Sequence, residues 1–161
     1  MEKFLQMEWG NNMVIRDSLQ LLPASLEKLT ASLTKTGLGN FSNLHEVVSQ
    51  IYPGSDVELL ERTGVFCYDY VDVFALLDEP ALPQREAFFN KLKTVKCSEP
   101  DYAYDQQVYS DFHCENLKDY MQLYLLNDIC LLSDVFQMFR NNSLNYYQLD
   151  PAYFVTAPQL A

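Results

Sequence analysis

One stripe of side chains constrains this chain more than any other feature. Leu117, Met121, Tyr124, Asp128, Leu131, Val135 and Met138 recur at steps of four and three. That rhythm is helical and puts all seven on one face. Asn116 is a good N-cap, and Asp119 stands at the N3 position of a capping pair. The run Asn141-Asn142-Ser143 is expected to end the helix. A helix of this length needs a second layer to bury its stripe, and the other residues must supply it.

The rest of the chain has the material to do so. It is 161 residues long and 48% hydrophobic, enough for one domain with a real core. Five Gly and seven Pro exclude collagen-like and low-complexity chains. No apolar run reaches the roughly 18–20 residues of a membrane helix, and no charged-then-apolar leader opens the chain, so an intracellular protein is expected. Cys67, Cys97, Cys114 and Cys130 form no Cys-x-x-Cys pair, which argues against a zinc ribbon and for free thiols. The net charge of −11 argues against a free-standing nucleic-acid binder. The charge is uneven, however: residues 51–120 hold 14 acids against 6 bases. An acidic middle third need not line a nucleic-acid path.

Shorter elements are predicted around the long helix. Phe4, Leu5, Met7 and Trp9 lead through Gly10-Asn11-Asn12 into Met13-Val14-Ile15, the pattern of a hairpin. Leu22, Leu26, Leu29 and Leu33 mark a helix opening near Pro23 or Ser25, with Gly37 as its C′ residue. Residues 37–54 read as loop with a short helix, and residues 63–80 as irregular with one short strand. A helical turn is expected over Phe88, Phe89 and Leu92. Ser98-Glu99-Pro100-Asp101 opens a helix that runs to about Phe112. From Tyr146 onward the chain reads as a linker.

Asp128 breaks its own stripe. A carboxylate on a buried helix face must be paired or bound to a cation, or the face must meet solvent there. Tyr124 lies one turn before it, on the same face. Two readings stay open on spacing alone. One is an ordinary polar pair in or beside a core. The other is a metal-binding carboxylate with a tyrosine that orients water.

Segments in order along the chain bear on that choice. Tyr124-Leu125-Leu126-Asn127-Asp128 resembles the third exonuclease motif, Tyr-x-x-x-Asp, of family B DNA polymerases. Asp17-Ser18-Leu19-Gln20-Leu21-Leu22-Pro23 resembles the Asp-Ser-Leu-x-x-Leu-Pro segment of their protein-primed members, as found in viruses, linear plasmids, organelles and self-synthesising transposons. Gly64-Val65-Phe66-Cys67-Tyr68-Asp69-Tyr70 is similar to their Lys-Gly-Val-x-Pro-Tyr-x-Tyr stretch, with Thr63 in place of the lysine. Leu82-Pro83-Gln84-Arg85-Glu86-Ala87-Phe88 resembles Leu-Pro-x-x-Glu-Ala-Phe. The segment from Leu149 to Pro158 is similar to the Leu-Asp-Pro-Ala-His-Tyr-x-Thr-Ala-Pro entrance to the polymerase domain.

The resemblance implies an α/β fold: a partial ribonuclease-H-like exonuclease domain, helix-rich in its second half, over residues 1–142. Residues 143–161 would then be the linker and start of the polymerase domain. It implies a fragment of a DNA-directed DNA polymerase, a nucleotidyltransferase of DNA replication with 3′–5′ proofreading. By this likeness Asp128 ligates Mg²⁺ or Mn²⁺ and Tyr124 orients the attacking water. Ser18, Leu19, Tyr68 and Tyr70 would contact single-stranded DNA or a priming protein, Tyr68 and Tyr70 being alternative matches to one family tyrosine. The family's Asp-x-Glu motif and its Asn with aromatic-Asp motif have no counterpart here. Asp56-Val57-Glu58 fits the first by letters alone, downstream of the hairpin. The isolated chain is therefore expected to be inactive. The residues also admit two other functions: a non-catalytic acidic interaction domain, its long helix packed as core and its Tyr-rich middle binding a protein partner, and a small independent metal-dependent nuclease.

Overall fold

In a computed structural model, residues 6–10, 13–35, 41–92 and 94–160 are described. Phe4, Leu5, the Asn11-Asn12 turn and Gly37 lie outside them. The architecture is mixed α/β, mostly helical, with one small antiparallel sheet.

The helix foreseen from the stripe, α4, spans Leu117–Tyr147, 31 residues. Asn116 caps it, its side chain accepting from the Asp119 backbone N–H at 2.9 Å. It does not end at Asn141-Asn142-Ser143. Ser143 is buried there, and the modest helix propensity of Asn and Ser is outweighed by packing. The helix continues across the boundary drawn after residue 142 and stops at Gln148, whose left-handed backbone has φ +58°.

The phase of the buried face also differs from expectation. The side chains α4 buries are Leu117, Tyr120, Leu123, Asn127, Cys130, Leu131, Asp134, Val135 and Ser143, of which Leu117, Leu131 and Val135 belong to the expected stripe. Tyr124 and Asp128 therefore sit on the flank of that face, half-buried. A rhythm of threes and fours fits two adjacent phases of one helix. The choice between them is made by what packs against it.

Two helices pack there. The helix α1 (Leu26–Lys35) starts after Pro23, so Leu22 precedes it but still packs on the core. Ser25 Oγ accepts from the Lys28 N–H at 3.4 Å, an N-terminal contact. The short helix expected within residues 37–54 is α2 (Ser42–Ile51). Leu33 of α1 and Leu44 and Val48 of α2 join Leu117, Leu123 and Leu131 in the core.

The N-cap residue of α2, Phe41, offers no side-chain acceptor. The free donors at this end are met from α4 instead. Asp134 Oδ1 accepts from the Asn43 N–H at 2.9 Å and from Asn43 Nδ2 at 2.7 Å, and Oδ2 accepts from the Leu44 N–H at 3.0 Å. A buried carboxylate with three donors at a helix N-terminus is well compensated.

The hairpin pairs β1 (Gln6–Trp9) with β2 (Met13–Arg16) in the register Trp9↔Met13. No strand forms among the described residues of 63–80, which fold as turns and a 3-10 turn, Phe74–Asp78. The helical turn expected at Phe88–Leu92 comes earlier, at Arg85–Phe88, and buries Phe88 while Leu92 stays exposed. Ser98 caps α3 (Glu99–Asp111) as foreseen, with Pro100 in its first turn. After α4 the chain turns back. Asp150 caps a 3-10 turn, Pro151–Tyr153, and accepts two bonds from Arg140 Nε at 3.0 Å and one from Nη2 at 2.6 Å. Arg16 of β2 reaches the Ala152 carbonyl. No described helix is long and apolar enough to cross a membrane.

Candidate functional site

A cleft of about 1090 Å³ opens between α1, the segment 58–68, the start of α3 and the flank of α4. The shifted phase of α4 explains its position, because Tyr124 and Asp128 are turned toward this cleft rather than into the core. Tyr68 comes to the same wall from the 63–70 segment.

Three rings build that wall. The Phe66 centroid lies 5.1 Å from that of Tyr68 and 5.6 Å from that of Tyr124, and Tyr68 meets Tyr124 edge-on at 6.0 Å. Such offset and edge contacts suit aromatic quadrupoles and fix ring orientation. The Tyr124 hydroxyl faces Asp128 and Tyr68, and burial together with both neighbours raises its pKa. Partial burial also raises the Asp128 pKa, opposed by a weak hydrogen bond from Tyr124. Among the described residues no cation neutralises this carboxylate in the way Arg140 neutralises Asp150.

The cleft carries both signs of charge. Lys35, Arg62 and Lys96 line it with Glu58, Glu61, Asp101 and Asp128. Several of these are already paired. Arg62 Nη2 binds Asp101 Oδ1 at 2.7 Å and its guanidinium lies 4.2 Å over the Tyr104 ring. Glu61 Oε1 lies 2.8 Å from His45 Nε2.

Of the residues singled out from sequence, Tyr68, Tyr124 and Asp128 converge here. Tyr70 does not: its hydroxyl donates to Glu79 Oε1 at 2.7 Å, the main reason its pKa is raised. Ser18 and Leu19 form a 3-10 turn, Ser18–Gln20, capped by Asp17, outside the cleft lining. Asp56 caps the 3-10 turn Val57–Leu60 by accepting from the Glu58 N–H at 3.2 Å.

Three polar residues escaped the sequence reading. Asp134 is the α2 cap already described. Asp105 of α3 is 0% exposed, and Asn127 of α4 is 3% exposed. Asp105 Oδ1 accepts from the Val65 N–H at 3.3 Å, and Asn127 Nδ2 donates to the Arg62 carbonyl at 2.9 Å. The Tyr120 hydroxyl donates to the Val65 carbonyl at 2.9 Å. Together they tie the 62–65 segment to α3 and α4. Burial pushes the Asp105 carboxyl up to about 7, against the pull of Tyr120, the Val65 N–H and Arg62. The usable signal was the second phase of each helix: Asp105 and Val108 on α3 with Phe112 as its C-cap, and Tyr120, Leu123, Asn127 and Asp134 on α4.

Chemically, the wall offers aromatic faces, one carboxylate and one hydroxyl. Hard divalent cations want about six oxygen ligands. Among the described residues no group of three or more His, Cys, Asp or Glu side chains converges to hold a metal. Asp128 can serve as one ligand only. Compared with protein-family models, with curated proteins and with solved structures, the chain matches none.

Proposed function

We propose that these residues are part of a family B, protein-primed type DNA polymerase that replicates DNA with 3′–5′ exonuclease proofreading. In this reading they belong to a ribonuclease-H-like exonuclease domain and lead toward the polymerase domain. The observation that carries it is the pairing of Tyr124 with Asp128 on the wall of an open cleft, beside Tyr68. A core role for the pair would have put both side chains inside.

Asp128 would contribute one ligand to Mg²⁺ or Mn²⁺, and the bound metals would supply Lewis acidity and an activated water. The residues present do not make up that centre, so no catalytic step follows from them alone. What they can do is narrower. Tyr124 holds a water beside Asp128 through its hydroxyl, and Phe66 and Tyr68 give stacking faces to an unpaired base. Ser18 and Leu19 would meet DNA or a priming protein on a separate surface.

Extending the reading frame in both directions tests this. An Asp-x-Glu motif upstream and palm aspartates downstream are expected; stop codons abutting both flanks would overturn the proposal. The purified chain is expected to leave single-stranded DNA intact in Mg²⁺. Digestion that Asp128→Ala abolishes would mean that it is a nuclease by itself.

One observation favours a second reading, a non-catalytic acidic interaction domain. Tyr146, Tyr147 and Tyr153 are exposed together around the end of α4, and tyrosine is a preferred residue in protein interfaces. It predicts no polymerase motifs in the flanks.

A further inference from the structure

Beneath the cleft wall lies a second, much smaller space. Its volume is about 10 Å³, and it is lined by Gly64, Tyr104, Asp105, Tyr120, Tyr124, Asn127 and apolar neighbours. Two of its lining atoms, Asp105 Oδ2 and Asn127 Oδ1, are buried and have no hydrogen-bond partner among the described residues. Buried polar atoms of this kind are rare because each unmade bond leaves the desolvation cost of the group uncompensated.

The neighbouring donors are committed. The Tyr104 hydroxyl donates to the Leu59 carbonyl at 2.7 Å, and the Tyr120 hydroxyl lies 2.9 Å from the Val65 carbonyl and also interacts with Asp105, leaving Oδ2 unserved. Asn127 Nδ2 donates to the Arg62 carbonyl. What the void lacks is a donor of two hydrogens. It meets the requirements for a structural water: room for one molecule and at least two polar partners.

We propose that this void binds one water molecule, which donates one hydrogen to Asp105 Oδ2 and the other to Asn127 Oδ1. A metal cation does not suit the same place, because two oxygens are far from the six or so that a hard cation takes. The water joins α3 to α4 at the level where both hold the 62–65 segment. It also serves both protonation states of Asp105. With the carboxyl neutral, its O–H donates a hydrogen bond to the water oxygen and the water donates on to Asn127. With the carboxyl ionised, the water donates to it directly. Gly64, Tyr104 and Tyr124 line both the small space and the large cleft, so the two lie side by side.

Oxygen-17 relaxation dispersion counts long-lived waters and needs no crystal. The wild-type chain is compared with Asn127→Leu, which replaces the acceptor by an apolar group of similar shape. The expected result is the loss of one long-lived water in the variant. An unchanged count would overturn the proposal. Should Asn127→Leu not fold, a high-resolution crystal structure of the unaltered chain decides: one density peak within hydrogen-bond distance of both oxygens supports the site, and an empty void overturns it.

Discussion

Asp105 has the most unusual surroundings of any ionisable side chain here. It is fully buried on α3, faces Tyr120, Tyr104 and Tyr124 and the Arg62–Asp101 pair, and its carboxyl is pushed up to about 7. In the unfolded chain it would titrate near the ordinary value of about 3.9. Between those values the unfolded state has released a proton that the folded state still holds. Stability from this group is therefore full below about pH 4 and falls as pH rises toward 7, by at most about 1.4 kcal/mol per pH unit. The raised Asp128 carboxyl acts in the same direction. Asp101 and Asp150 are held low by their partners and act oppositely, losing their contribution only as pH falls below the usual carboxylate range. Urea unfolding at pH 5 and pH 8 should show the wild type weaker at pH 8. Asp105→Asn should flatten that difference, and equal slopes in the two proteins would contradict the assignment.

Helix α2 is held at its N-terminus by a side chain from another helix. Asp134→Ala leaves the Asn43 and Leu44 N–H groups unmet in a buried place, and a loss of roughly 2–4 kcal/mol is expected from thermal or urea unfolding. A loss below about 0.5 kcal/mol would show that water replaces the carboxylate. The Arg140–Asp150 pair is more exposed and holds only the returning tail. Arg140→Ala should speed proteolysis after residue 148 and barely move the melting temperature.

Legibility from sequence followed how local each cause is. The caps Ser98 and Asn116 act within one turn, so the starts of α3 and α4 could be read directly. The end of α4 could not, because Ser143 is kept helical by burial rather than by its own propensity. The same holds for α2, whose cap lies 91 positions along the chain. At the cleft, the Tyr124–Asp128 spacing exposed a candidate pair, and Tyr68 came with it through motif likeness. Asp105 and Asn127 were hidden because a polar residue in a helical rhythm reads as the solvent face until the neighbouring elements are known.

At the scale of the whole molecule, the helices share one core and the hairpin stands apart from it. Met7, Trp9, Met13, Val14 and Ile15 are all exposed. A two-stranded sheet is marginal by itself and takes its support from neighbours. Here the described support is Arg16, which bonds Gln6 within the hairpin and the Ala152 carbonyl beyond it. Trp9, 69% exposed, is the sole tryptophan and reports on this directly. Its native emission should resemble that of free indole in water and be readily quenched by acrylamide. A blue-shifted, protected emission would mean that the hairpin is covered in solution.

The bond from Asp134 to the start of α2 also sets an order of events during synthesis. Asn43 leaves the ribosome long before Asp134 has been added, since 91 positions separate them. At bacterial to eukaryotic elongation speeds of about 5–20 residues per second, that gap lasts roughly 5–18 seconds. Throughout it the nascent α2 has an open N-terminus and no partner for Leu44 and Val48 from α4. Those apolar side chains are then available to chaperones or to neighbouring nascent chains, until translation of α4 closes the helix from a distance.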